Sequence, residues 1–108
     1  MEEKKSVTLE ELRAQVVKFR DDRSWKPYHT PKDLAISVSL EAAELLEIFQ
    51  WSKEELWQRE RMGEIKEELA DVLIYCMMLA DILGIDIGEI IPKKLEKNGI
   101  KYPVPGKE

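Results

Sequence analysis

Apolar residues recur at helical spacing along most of the chain, and no stretch alternates with the two-residue period of a strand. Thr8 with Glu11 forms a capping box, after which Leu9, Leu12, Val16 and Phe19 predict a first helix near 9–22 with a narrow apolar stripe. Between Asp22 and Thr30 the pattern fails, and Ser24, Trp25, Pro27, Tyr28 and His29 read as an ordered loop. Thr30 then caps a second helix, with Pro31 at its first position and Asp33 in its first turn, running to about Gln50. Ser52 with Glu55 repeats the capping pattern and predicts a short helical connector to Arg61, interrupted near Gly63. A third helix follows from about Glu64 to Leu83, ended by Gly84. Asp86 with Glu89 begins a fourth, which Asn98-Gly99 is expected to terminate. Pro92 lies deep inside that helix and predicts a kink or a break, because proline lacks the amide donor and crowds the preceding turn. Tyr102, Pro103 and Pro105 predict an extended tail.

These elements make an all-α fold, a bundle of four main helices with the second and third at its centre. Those two are apolar almost all round, and a single small bundle has too few helices to cover them. The pattern therefore predicts a homo-oligomer, a homodimer or homotetramer, with helices two and three shared between core and interface. A chain of 108 residues suffices for one core, so residues 1–108 are expected to form a single domain.

Composition narrows the partners. With 44% hydrophobic and 36% charged residues the chain fits a soluble globular protein. Its net charge of −5 gives no basic track for a nucleic-acid polymer. No apolar run approaches the roughly 20 residues that span a bilayer, so no membrane role is expected. The lone cysteine, Cys76, lies in the apolar run from Val72 to Ala80 and reads as a small core residue, and a reducing cytoplasm is the expected compartment.

Two acidic couplets carry the chemistry: Glu41 with Glu44, and Glu68 with Asp71. The midpoint of 41 and 71 and that of 44 and 68 both fall at Leu56, so an antiparallel hairpin turning there sets the couplets level. Within each couplet the spacing of three puts both side chains on one helix face. Leu40, Ala42, Ala43, Leu45 and Leu46 surround one couplet, and Leu69, Val72, Leu73 and Ile74 the other. Carboxylates gathered in such a seam need neutralising, and an all-oxygen set suits Mg²⁺ or Mn²⁺. Zinc is disfavoured by the single His29 and single cysteine. Such a cage, holding one or two ions, can polarise a phosphate oxygen and generate hydroxide from water, which points to hydrolysis of a phosphate ester or anhydride. Tyr75 joins the acidic stripe of the third helix, and Glu47 drifts off that of the second towards an outer role. Glu64 and Glu67, beside Lys66, read as a solvated turn.

Glu41-x-x-Glu44, 23 residues, then Glu68-x-x-Asp71 resembles the motif of the MazG-like all-α nucleoside triphosphate pyrophosphohydrolase superfamily. Four further blocks are similar to its dCTP pyrophosphatase branch: Trp25 through His29 and Pro31 to Leu34; Glu44 followed by Phe49-Gln50-Trp51; Glu68 to Tyr75; and Lys94 through Asn98 to Tyr102-Pro103. The resemblance covers about residues 20 to 104. It implies hydrolysis of a nucleoside triphosphate between its α and β phosphates, with Glu41, Glu44, Glu68 and Asp71 holding Mg²⁺. It implies too that Glu44, with Glu41, is catalytic, Glu44 activating water. By the same resemblance Lys94 and Asn98 contact phosphate beside Tyr75 and Tyr102, and Trp25, Trp51 and His29 enclose the base. Trp57 matches no block and reads as connector packing.

Ala43, Pro92 and Lys101 depart from the commonest pattern, which bears on substrate preference more than on chemistry. Long members carry a second copy of the fold, whereas residues 1–108 are expected to hold a single copy. Two other readings compete: a dUTP or phosphoribosyl-ATP hydrolase on the same scaffold, and a non-catalytic all-α interaction module. The tryptophans speak against phosphoribosyl-ATP.

Overall fold

Threonine side chains close two of the expected helix starts. Thr8 Oγ1 accepts the Glu11 amide and Thr30 Oγ1 the Asp33 amide, each at 3.1 Å, satisfying a donor that the first turn leaves unbonded. In the computed structural model, which describes residues 6–51 and 55–106, these caps open α1 (Leu9–Asp22) and α2 (Pro31–Phe49). A single 3₁₀ turn, Lys26–Tyr28, orders the loop between them. The connector holds α3 (Glu55–Glu60), and the third main helix is α4 (Met62–Leu83). Ser52, the expected cap of the connector, lies outside the described residues. All described elements are helical, so the all-α expectation holds among them.

The interruption expected near Gly63 falls at Arg61, whose backbone (φ −99°, ψ 10°) leaves the helical basin. Gly63 sits instead in the first turn of α4. At the far end Gly84 adopts φ 68°, the left-handed conformation that ends a helix at little cost only for glycine. Asp86 then precedes α5 (Ile87–Lys101).

Two expectations for this last helix are corrected. Pro92 does not break it: α5 runs unbroken through Pro92, which removes only the bond to the Gly88 carbonyl at an exposed position. Nor does Asn98-Gly99 end it. Gly99 takes no positive φ, and the helix continues to Lys101. What stops it is Pro103, which disfavours the helical basin for the residue before it; Tyr102 sits at φ −125°, ψ 74°.

The hairpin of α2 and α4 is the main packing unit, with α1 laid against α4. Its buried interior is thin: Leu34, Ile48, Met78 and Ala80, with Arg20 the buried charge among the described residues. Large apolar side chains remain outside, among them Leu40 (59% exposed) and Leu46 (65%) on α2, Leu73 on α4, and Ile91 and Leu95 on α5. α5 packs only slightly on the rest of the chain. The radius of gyration is accordingly 17.3 Å, where a compact domain of this length has about 13 Å. The accessible surface is 9178 Å², against about 6,200 Å² for a folded monomer of this mass. Among the described residues no helix is long and apolar enough to cross a membrane.

Candidate metal and nucleotide site

The hairpin brings three of the four predicted acids together. Glu41, Glu44 and Glu68 each offer an oxygen, and these oxygens lie within 4.8 Å of one another. Glu41 and Glu68 are half-buried, whereas Glu44 is exposed. Asp71 stands near enough for its charge to act on both Glu41 and Glu68, though its oxygens lie outside that triad.

Electrostatics follow from this crowding. Burial first, then hydrogen bonding with Glu44 and the charges of Glu44, Asp71 and Glu68, push the Glu41 carboxyl up to about 7. Glu68 is raised for the same leading reason, with Glu44, Asp71 and Glu67 adding to it. Carboxyl groups this close resist ionising together, so the crowded triad favours uptake of a proton or of a cation. One oxygen on each flank, Glu41 Oε2 and Glu68 Oε2, is buried without a hydrogen-bond partner. Buried lone pairs left unspent on a converging all-oxygen set fit a hard divalent cation, which needs oxygen ligands and neutralises their charge.

Two cavities flank the acids. One, of about 670 Å³, is polar: Glu44 and Glu68 line it with Glu47, Glu64, Trp51 and Arg61. Trp51 is 83% exposed at its wall. The other, about 390 Å³, is apolar and aromatic: Phe19, Trp25, Ile74, Tyr75 and Met78 line it, with Asp71 at its acidic edge. The row of acids thus runs from a polar hollow to an aromatic one, which suits a ligand with a charged end and a flat apolar end. A third cavity, about 440 Å³ between Leu9, Asp81 and Gly88, holds none of the predicted site residues.

The remaining predicted residues fall in three places. Trp25 lines the aromatic cavity edge-on to Phe19, with ring centroids 5.6 Å apart. His29 stands beside Trp25 at 6.1 Å but does not line the cavity. Burial and then the Arg20 charge hold its imidazole below the usual histidine range, and its Nδ1 is buried without a partner. Lys94, Asn98 and Tyr102 ride on α5 or its cap and line none of these three cavities.

Sequence reasoning passed over three neighbours of the site. Phe19 registered only as one step of the α1 stripe. Arg61 lines the polar cavity, pairs with Glu64 and lies over the Trp57 ring at 4.8 Å. Arg20 is buried against Asp81; the available signal was Asp81 itself, a charge among the apolar residues that close α4.

A family model described as MazG-like matches residues 36–108. Among curated proteins, dCTP pyrophosphatase 1 of Rattus norvegicus is 34% identical over 102 residues, covering 90% of this chain and 60% of its own length. The Homo sapiens protein of the same name is 33% identical over 101 residues, covering 89% and 59%. The chain thus spans about 60% of the length of the curated relatives it matches. Among solved structures, a pyrophosphatase from Archaeoglobus fulgidus matches with a TM-score of 0.84 at 45% identity, covering 96% of this chain and 100% of that one.

Proposed function

The chain belongs to the MazG-like family, and on that premise we propose that it is a Mg²⁺-dependent nucleoside triphosphate pyrophosphohydrolase, acting on dCTP or a modified pyrimidine nucleotide. It would cut the anhydride between the α and β phosphates, releasing the monophosphate and pyrophosphate. The observation that carries this reading is the Glu41, Glu44 and Glu68 triad within 4.8 Å, set between a polar and an aromatic cavity. The relatives named dCTP pyrophosphatase 1 favour a cytosine base.

Glu41, Glu44, Glu68 and Asp71 would hold Mg²⁺, or Mn²⁺ in its place. When bound, such a cation supplies Lewis acidity and offsets the negative charge of the triphosphate. Glu44, exposed beside both flanking acids, would take the proton of the attacking water. The water oxygen bonds to the α phosphorus, the bridging P–O bond breaks, and its electron pair leaves with pyrophosphate. Trp25 with Phe19 and Tyr75 offers the base aromatic faces; such stacking is worth about 1–3 kcal/mol per base. His29 backs Trp25, and Trp51 flanks the polar cavity.

The working form is a homodimer or homotetramer. The surface in excess of a compact monomer's and the apolar faces of α2, α4 and α5 are what a second copy would cover. Lys94, Asn98 and Tyr102, which line none of the three cavities of their own chain, would reach phosphate in that assembly. The cytoplasm, where nucleotide pools lie, is the compartment that fits.

Incubation with common and modified NTPs and dNTPs plus Mg²⁺, with product identification, tests the reading. Pyrophosphate as first product, most rapidly from a pyrimidine deoxynucleotide, is expected. No turnover, or orthophosphate as first product, refutes it. Glu44→Gln abolishes turnover while keeping the helical fold, whereas the single function of an interaction module would survive the change.

A further inference from the structure

Trp25 owes its position to the way α1 ends. The Trp25 amide donates to the Arg20 carbonyl at 3.2 Å and the Ser24 amide to the Asp21 carbonyl at 3.0 Å, the paired bonds of a Schellman cap. Ser24 holds the left-handed position of that cap at φ 56°. The ring of Trp25 then meets Phe19, one residue before Arg20, which is the apolar contact such caps carry. α4 ends the same way, with Ile85 donating to the Ala80 carbonyl at 2.8 Å and Gly84 to the Asp81 carbonyl at 3.2 Å.

One side chain joins the two caps. The Arg20 side chain is 2% exposed; its Nη1 donates to Asp81 Oδ2 at 2.8 Å and its Nε to Asp21 Oδ1 at 3.0 Å. The other Asp81 oxygen takes Arg13 Nη1 at 2.8 Å. A buried guanidinium loses its hydration, and here a carboxylate on each side compensates it. Its planar fork fixes direction as well as distance, which a lysine would not.

We infer that Arg20 is a positioning residue of the nucleotide site: by clamping the end of α1 to Asp81 on α4, it sets where the Trp25 indole stands against the aromatic cavity. This rests on the proposed function for its consequence in catalysis, but not for the geometry. Arg20 is not itself among the residues that line the cavity; it acts through Trp25, and its charge acts on His29 behind that ring.

Two variants test it in the 108-residue chain. Arg20→Gln removes charge and fork; Arg20→Lys keeps charge alone. The expected result for Arg20→Gln is a KM for the best nucleotide raised about tenfold with kcat within about twofold, since a displaced platform weakens placement of the base. Its Trp25 indole N–H resonance shifts, and His29, the single histidine, titrates at higher pH because a positive neighbour is gone. Arg20→Lys shifts the indole resonance and raises KM while leaving the His29 titration in place. A folded variant with wild-type KM and an unmoved Trp25 resonance overturns the inference. Should Arg20→Gln not fold, Arg20→Lys and Asp81→Asn decide by the same readings. If the wild-type protein turns over no nucleotide, the proposed function falls, and the Trp25 and His29 resonances still decide the role of Arg20.

Discussion

The Trp57 indole N–H donates to the Ile48 carbonyl at 2.6 Å, tying the connector to the last turn of α2. That carbonyl is one of the four at a helix end that no amide of the helix itself can reach. The bond closes the connector over the buried Ile48 side chain and fixes the hairpin end nearest the polar cavity. Trp57→Phe keeps the ring under Arg61 but removes the donor. Chemical denaturation is expected to show a loss of about 1 kcal/mol, the usual net worth of such a bond.

Ser24 is the described residue other than glycine with a positive φ. A side chain there crowds the backbone, and glycine does not. Ser24→Gly is therefore expected to stabilise the protein by about 0.5–1 kcal/mol, seen as a melting temperature a few degrees higher. Gly84→Ala, at φ 68° with open space around the added carbon, destabilises by a similar amount through backbone strain alone.

Glu41 titrates near 7 in the folded chain, above its ordinary value of 4.5, so the native state binds the extra proton. Its contribution is fully present below about 4.5 and is lost as pH rises through about 7. Glu68, also raised, acts in the same direction. Thermal melts without divalent cation should thus fall between pH 5 and pH 8. Added Mg²⁺ should reverse most of the fall at pH 8, because it takes the place of the extra proton. A flat profile in chelator speaks against the crowded triad.

Glu41→Gln separates stability from function. Without metal at pH 8 it removes a charge that the fold disfavours, so the variant melts higher than the wild type. It also removes a ligand, so Mg²⁺ no longer raises its melting temperature appreciably and turnover falls by about 10²-fold or more. Calorimetry with and without Mg²⁺ and a pyrophosphate assay check both halves.

Helix boundaries were legible where their caps are short-range: Thr8 and Thr30 at helix starts and the glycine at 84 at a helix end each act within a few residues. Asn98-Gly99 misled for the same reason, since a glycine permits a left-handed turn without compelling one, and Pro103 a few residues on decides the end. Ser24 hid the cap of α1 by filling a glycine's place. The acid triad could be anticipated from the mirrored spacing of its couplets, a property of any antiparallel hairpin. The Arg20 and Asp81 pair could not, because its partners lie 61 residues apart and nothing periodic links them. The placement of α5 was equally hidden, since little of this chain holds it.

An interior as thin as Leu34, Ile48, Met78 and Ala80 leaves a solitary chain with little to resist unfolding. In the proposed assembly, folding and association would then become a single reaction. The melting temperature should climb with protein concentration, and dilution alone should unfold the hairpin that gathers the acids.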